Sequence, residues 1–165
     1  MYTLAVDPTI IFHTGDPHII DFGTVNTNIT IGKFCLFGPN LTILAGGSEH
    51  YSKGVAIRPD RPLTKGDVKI GNGVWTGYNV TIFSGVTIGD GAIIGACSVV
   101  SKNIPSYAVA VGNPIRVIKY RFDPETIEKL LKIAWWNRGN QFIDENSFML
   151  YDEKKVQLFI KRCGL

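Results

Sequence analysis

The stretch that decides the fold is "GVTIGDGAIIGACSVV", residues 85–100. Ile88 is followed by Gly89 and Ile94 by Gly95, so the same pair returns after six residues. A helix repeats every 3.6 residues and a strand every two. Six is three strand steps, which points to a backbone that runs extended, turns, and repeats. Stepping by six from Ile70 gives Thr76, Ile82, Ile88, Ile94 and Val100. Four residues after each of these come Val74, Val80, Val86, Ala92, Ser98 and Ile104. Glycine follows the first position at Gly71, Gly77, Gly89 and Gly95, and Phe83 breaks that rule. Upstream, Val25, Ile31, Phe37 and Ile43 keep the same period, with Ile29, Cys35 and Leu41 four places on.

A triangular solenoid explains this pattern. Each hexad supplies a short strand and a corner, and three hexads return the chain to its starting face. Residues eighteen apart then stack in columns at the ~4.8 Å strand spacing. The spacing puts Ile70, Ile88, Val25 and Ile43 in equivalent columns, with branched side chains filling the prism. Gly, Asn and Asp in "GNG", "GYN" and "GDG" relax the backbone at the bends. Stacked coils bury one continuous core, and each coil needs its neighbours. A β-sandwich would show turn signals every 8–12 residues instead. Before residue 21 no clear repeat is visible.

The period fails over 45–66, "AGGSEHYSKGVAIRPDRPLTKG", and resumes at Asp67. A structureless stretch of that length inside a compact domain is usually functional or disordered. It reads as an excursion from a solenoid domain spanning 1–120. Residues 121–165 read as a helical tail, not an independent domain. Asp123-Pro124 offers an N-cap followed by proline in the first turn. Ile127, Leu130, Leu131 and Ala134 share a helical face, and a second helix is expected over Asp152–Arg162 with Val156, Phe159 and Ile160 on one side. These helices are expected to cap the prism or to pack on a neighbouring subunit.

The composition narrows the function. The formal charge of the 165-residue chain is +3, and no basic helix accompanies it, which argues against nucleic-acid binding. Cys35, Cys97 and Cys163 lie far apart without metal-ligand spacing, which suits a reducing compartment. No signal peptide and no apolar run near the ~20 residues of a membrane span is evident. A cytoplasmic location is the expectation. His13 and His18 have no ligand or triad spacing, and three convergent histidines for a zinc site are lacking, so no metal is expected. His50 differs, because it sits at the start of the excursion. Neutral imidazole accepts a proton near pH 7, and scaffold-held loops are where such groups act. "RVIKYR" places Arg116, Lys119 and Arg121 close together, which suits a phosphate-bearing ligand as well as a solvated face.

Four segments, "GGSEH" (46–50), "IGNGVWTGYNVTIFSGVTIGDGAIIGACSVVSKNIP" (70–105), "VGNPIRVIKYRF" (111–122) and "WWN" (135–137), together resemble the hexapeptide-repeat acyltransferases. Within that family they look most like the xenobiotic acetyltransferases. The likeness is continuous from Gly66 to Asn137 and looser from Val25 to His50. The resemblance implies a mainly β fold, a left-handed parallel β-helix with a long excursion and a C-terminal helical cap. It implies acetyl-CoA as cosubstrate and His50 as the base that deprotonates an acceptor hydroxyl or amine. Trp75 matches a tryptophan near the reacting end. Tyr78, Ala96, Ser101 and Lys102 match positions along one edge that contacts coenzyme A, and Arg116 and Lys119 match basic positions near its nucleotide phosphates. It also implies a homotrimer with active sites between subunits. The excursion departs from the antibiotic-modifying members: "YSKGVAIRPDRP" is polar, with Lys53, Arg58 and Arg61. A sugar or nucleotide-linked sugar fits it better than a large apolar drug. The alternatives are a chloramphenicol- or streptogramin-type acetyltransferase and a non-catalytic solenoid module.

Overall fold

The computed structural model describes residues 2–5, 11–12, 18–20, 27–46, 49–50, 54–55 and 62–165. His13, Val25, Lys53, Arg58 and Arg61 lie outside the described residues. Two compact units divide the chain, Met1–Tyr120 and Arg121–Leu165.

The first unit is a three-sided coil. Its turns carry β1 (Tyr2–Ala5), β2 (Ile11–Phe12) and β3 (His18–Ile20), then β4 (Thr27–Ile31), β5 (Leu36–Phe37) and β6 (Thr42–Leu44). A hairpin of β7 (Glu49–His50) and β8 (Pro62–Leu63) interrupts it. The coil resumes with β9 (Val68–Ile70), β10 (Trp75–Thr76) and β11 (Thr81–Ile82), followed by β12 (Thr87–Ile88), β13 (Ile93–Ile94) and β14 (Val99–Val100). It ends on β15 (Ala108–Val111) and β16 (Arg116–Tyr120). Parallel pairing joins β1, β4, β9 and β12 in a first face and β3, β6, β11 and β14 in a third. The second face holds β2, β5, β10, β13 and β15 in parallel, and β16 closes it antiparallel.

The hexad positions point inward. Ile70 pairs with Ile88, Thr76 with Ile94, and Ile82 with Val100, and all are buried. The residues four places on, Val74, Val80, Val86, Ala92, Ser98 and Ile104, are buried as well. One core cluster runs from Ile29 to Ile115. β1–β3 already pair with the second turn of the coil. One expectation needs correction. Ile43 stacks on Ile82 of the third face, while Ile31 occupies the column of Ile70. The inserted residues cause that shift: partners across the excursion lie 39 positions apart instead of 18, so this turn holds 21 extra residues.

Glycines serve two physical needs. Gly73 (φ 61°) and Gly91 (φ 66°) adopt the left-handed backbone of the corner, a conformation that Asn79 (φ 56°) and Cys97 (φ 57°) share at the next corner. The glycines after the inward residue have a different reason. A Cβ on Gly71 would stand 2.7 Å from the Asp90 nitrogen, and one on Gly77 would stand 2.7 Å from the Ala96 nitrogen. Successive coils approach too closely there for any side chain.

The second unit holds α1 (Pro124–Ile133), α2 (Asn140–Leu150) and α3 (Val156–Arg162). Asp123 caps α1: one carboxylate oxygen accepts from the Thr126 N–H at 3.0 Å, the other from the Thr126 hydroxyl at 2.7 Å. Leu130 and Ile133 are buried, while Ala134 leaves the helix in a left-handed cap (φ 44°) instead of extending its apolar face. The second expected helix is α3 preceded by a short turn over Glu153–Lys155, and α2 lies between it and α1. Phe142 of α2 meets Phe159 of α3 edge to face at 6.1 Å, and Gln157 donates to the Thr126 hydroxyl at 3.0 Å. Among the described residues no helix is long and apolar enough to cross a membrane.

Candidate functional site

The second face presents an outward row set by register. Leu36 pairs with Trp75, Trp75 with Ile93, Ile93 with Val109, and Val109 with Lys119. Trp75 is 47% exposed, and its indole stands on the rigid sheet beside half-buried Leu36 and Ile93. Lys119 lies three strands along the same row, a Cα distance of about 14 Å at the usual strand spacing. Sequence spacing did not show this relation, because β16 folds back antiparallel after the "VGNP" turn. Arg116 pairs with Val111 at the end of β15, and Val111 is the residue a Cβ on Gly95 would strike at 2.5 Å. This brings Arg116 toward the corner that carries Ala96. Arg116 and Lys119 are exposed, and neither forms an ion pair among the described residues. Both remain available to an anion.

Tyr78 and Ala96 share the corner between the second and third faces. The Cys97 N–H donates to the Tyr78 carbonyl at 2.8 Å, and Asn79 below it donates to the Pro39 carbonyl at 2.8 Å. The Tyr78 side chain is 53% exposed there. Ser101 and Lys102 are also exposed, yet they follow β14 and sit at the corner between the third and first faces. The single coenzyme edge implied by the family resemblance is therefore split in two. The reason is the period itself: Ala96 and Ser101 are nearly one hexad apart, so a whole face separates them. That signal was present in the sequence.

The excursion leaves from this same third corner, between β6 and β9. Lys65 and Gly66 return onto the next coil, where the Lys65 N–H donates to the Ser84 hydroxyl at 3.2 Å and Gly85 donates to the Gly66 carbonyl at 2.8 Å. His50 ends strand β7 opposite Pro62, so the candidate base stands on an antiparallel hairpin and not on a structureless loop. Glu49 and His50 are consecutive in that strand. His18 lies elsewhere, at the start of β3 on the third face. No group of three His, Cys, Asp or Glu able to hold a metal occurs among the described residues.

Comparison with known proteins identifies this scaffold. The family model described as "Bacterial transferase hexapeptide (six repeats)" matches residues 67–102. A protein of Lysinibacillus sphaericus described as "Probable macrolide acetyltransferase" is 38% identical over 161 residues, spanning 88% of either chain. The chloramphenicol acetyltransferase of Agrobacterium fabrum is 37% identical over 66% of this chain, which spans 59% of that protein's length. Among solved structures, the hexapeptide-repeat-containing acetyltransferase of Vibrio cholerae superposes with a TM-score of 0.53 at 29% identity, over 64% of this chain and 57% of that one. Fold and repeat together define a left-handed parallel β-helix transferase. The chain belongs to the hexapeptide-repeat acetyltransferases, and the class of enzyme is an acetyltransferase.

Proposed function

We propose that this protein transfers the acetyl group of acetyl-CoA to a hydroxyl or amine of a small acceptor, with His50 as general base. The observation that carries the reading is the match to an acetyltransferase over 88% of either length, on a scaffold where His50 ends strand β7 of the β7–β8 pair. His50 takes the acceptor proton, the freed lone pair attacks the thioester carbonyl carbon, the C–S bond breaks, and the departing thiolate takes the proton from His50 to leave as the coenzyme thiol. Trp75 offers an apolar wall for the reacting end. Tyr78 and Ala96 flank the pantetheine arm, with Ser101 and Lys102 completing the pocket from the other corner. Arg116 and Lys119 receive the nucleotide phosphates, a role for which unpaired, exposed cations on a rigid sheet are suited. The assembly is a cytoplasmic homotrimer, and residues 1–120 carry the chemistry, with 121–165 as a helical appendage.

The polar excursion favours a sugar or nucleotide-linked sugar as acceptor. A second reading, an antibiotic acceptor, is favoured by the names of the Lysinibacillus and Agrobacterium relatives. Coenzyme A release with nucleotide sugars, simple galactosides, a macrolide and chloramphenicol separates the two. Turnover of the preferred acceptor falls on the order of 10²–10⁴-fold in His50→Ala, the usual cost of losing a general base. Unchanged turnover in that variant removes His50 from the mechanism. No release with any acceptor and no calorimetric coenzyme binding returns the protein to a non-catalytic module.

A further inference from the structure

Ser98 is chemically out of place in the column it occupies. The residues four places after an inward position run Val74, Val80, Val86, Ala92, Ser98 and Ile104, all buried, and Ser98 alone of them is polar. Its hydroxyl is fully engaged. It donates to the Gly95 carbonyl at 2.7 Å and accepts from the Gly112 N–H at 2.9 Å. The reason lies in how the coil ends. Partners in successive full turns lie 18 positions apart, as Asn72 and Asp90 do, but Ser98 meets Gly112 after only 14. The last turn is cut short, and the chain doubles back as β16.

Gly112 begins the connection from β15 to β16. At φ 99° it holds a backbone conformation suited to glycine, and with no side chain to pack, its place is set by hydrogen bonds. Two of these come from the turn below. The Ser98 oxygen accepts from its N–H, and its carbonyl accepts from the Val99 N–H at 3.1 Å. Val111, the residue before it, pairs with Arg116. Gly95, the other partner of the Ser98 hydroxyl, directly precedes Ala96. One buried oxygen therefore ties the Ala96 corner to the end of β16 that carries Arg116. Lys119 is tied differently, since it pairs with Val109 beyond the register shift between Val109 and Ala110.

We propose that Ser98 is a positioning residue for the coenzyme, holding Arg116 against the Ala96 corner so that its guanidinium meets a nucleotide phosphate. This rests on the acetyltransferase reading. Ser98 is buried and acts through Gly112 and Val111, not by touching the ligand. A guanidinium gains most from a phosphate when its fork is aligned for two hydrogen bonds. Such alignment needs support to within about 0.5 Å. Loss of the hydroxyl is therefore felt by ligands that carry the phosphates and not by those that lack them.

The test compares acetyl-CoA with S-acetylpantetheine, which has the same thioester and no phosphate. In Ser98→Ala the KM for acetyl-CoA and the calorimetric Kd for coenzyme A rise about tenfold, the scale of one charge-assisted hydrogen bond. The kcat at saturation and the turnover of S-acetylpantetheine stay at the wild-type values. Ser98→Thr keeps the hydroxyl and the wild-type KM, while Ser98→Val, of the same shape, behaves as the alanine variant. Val80 fills the same corner one turn below, so that volume fits the column. In an Arg116→Ala background Ser98→Ala adds nothing to the KM, whereas with Lys119→Ala the two effects multiply. Equal losses with both thioesters, an equal KM in the threonine and valine variants, or independent effects of Ser98 and Arg116 each overturn the proposal. A wild type that binds no coenzyme A defeats the acetyltransferase reading and the proposal together. A working wild type matched by Ser98→Ala defeats the proposal alone.

Discussion

Replacing Thr76 by valine should stabilise the coil. Thr76 sits inward on β10, fully buried between Phe37 and Ile94, and its hydroxyl has no hydrogen-bond partner. A hydroxyl held in an apolar interior without a partner costs roughly 1–3 kcal/mol in protein mutational series. Valine has the same branched shape and the same stiff side-chain rotamer, so no packing is lost with the oxygen. The expected gain is about 1–3 kcal/mol, or a melting temperature higher by about 2–10 °C for a chain of this size. Thermal unfolding followed by circular dichroism measures it. Ser98 is the internal contrast. It is equally buried, but its hydroxyl donates to the Gly95 carbonyl at 2.7 Å and accepts from the Gly112 N–H at 2.9 Å. Ser98→Ala orphans that N–H and should cost about 1–3 kcal/mol. If Thr76→Val lowers the melting temperature, the Thr76 oxygen is satisfied in solution and the reasoning fails.

Other outcomes follow from the same contacts. Gly71→Ala should destabilise by roughly 1–3 kcal/mol, the usual cost of overpacking, since its Cβ would lie 2.7 Å from the Asp90 nitrogen; an unchanged denaturant midpoint would mean the coils can separate freely there. Asp67 accepts from the Asn28 backbone N–H at 2.9 Å and its side-chain amide at 3.4 Å, and the backbone bond chiefly holds its carboxyl below the ordinary 3.8. A depressed carboxyl stabilises the fold fully above the unfolded value and loses that contribution as pH falls through the folded one. Acid titration of stability should therefore show a smaller loss below pH 3.8 in Asp67→Asn than in the wild type, and identical acid slopes would remove Asp67 from the linkage.

The hexad period was enough to determine the inward set from Ile29 to Ile104, because in a three-sided coil the distance along the chain and the side facing the core are the same information. The cap at Asp123 was equally local, since one carboxylate and the next turn's N–H suffice. Much else depended on partners distant in sequence. The early strands β1–β3 have irregular spacing and are recognisable only by pairing with β4–β6. The shift of Ile43 to the column of Ile82 follows from 21 inserted residues, which reset the count without breaking the pattern on either side. Helix α2 shows little apolar rhythm, with Asn146 among its buried residues. The alignment of Trp75 with Lys119 came from the closure of the coil, whereas the division of Tyr78 and Ala96 from Ser101 and Lys102 was already contained in the period. A repeat records which residues face inward, but the neighbours a side chain meets on the outer surface are decided by how the strands stack.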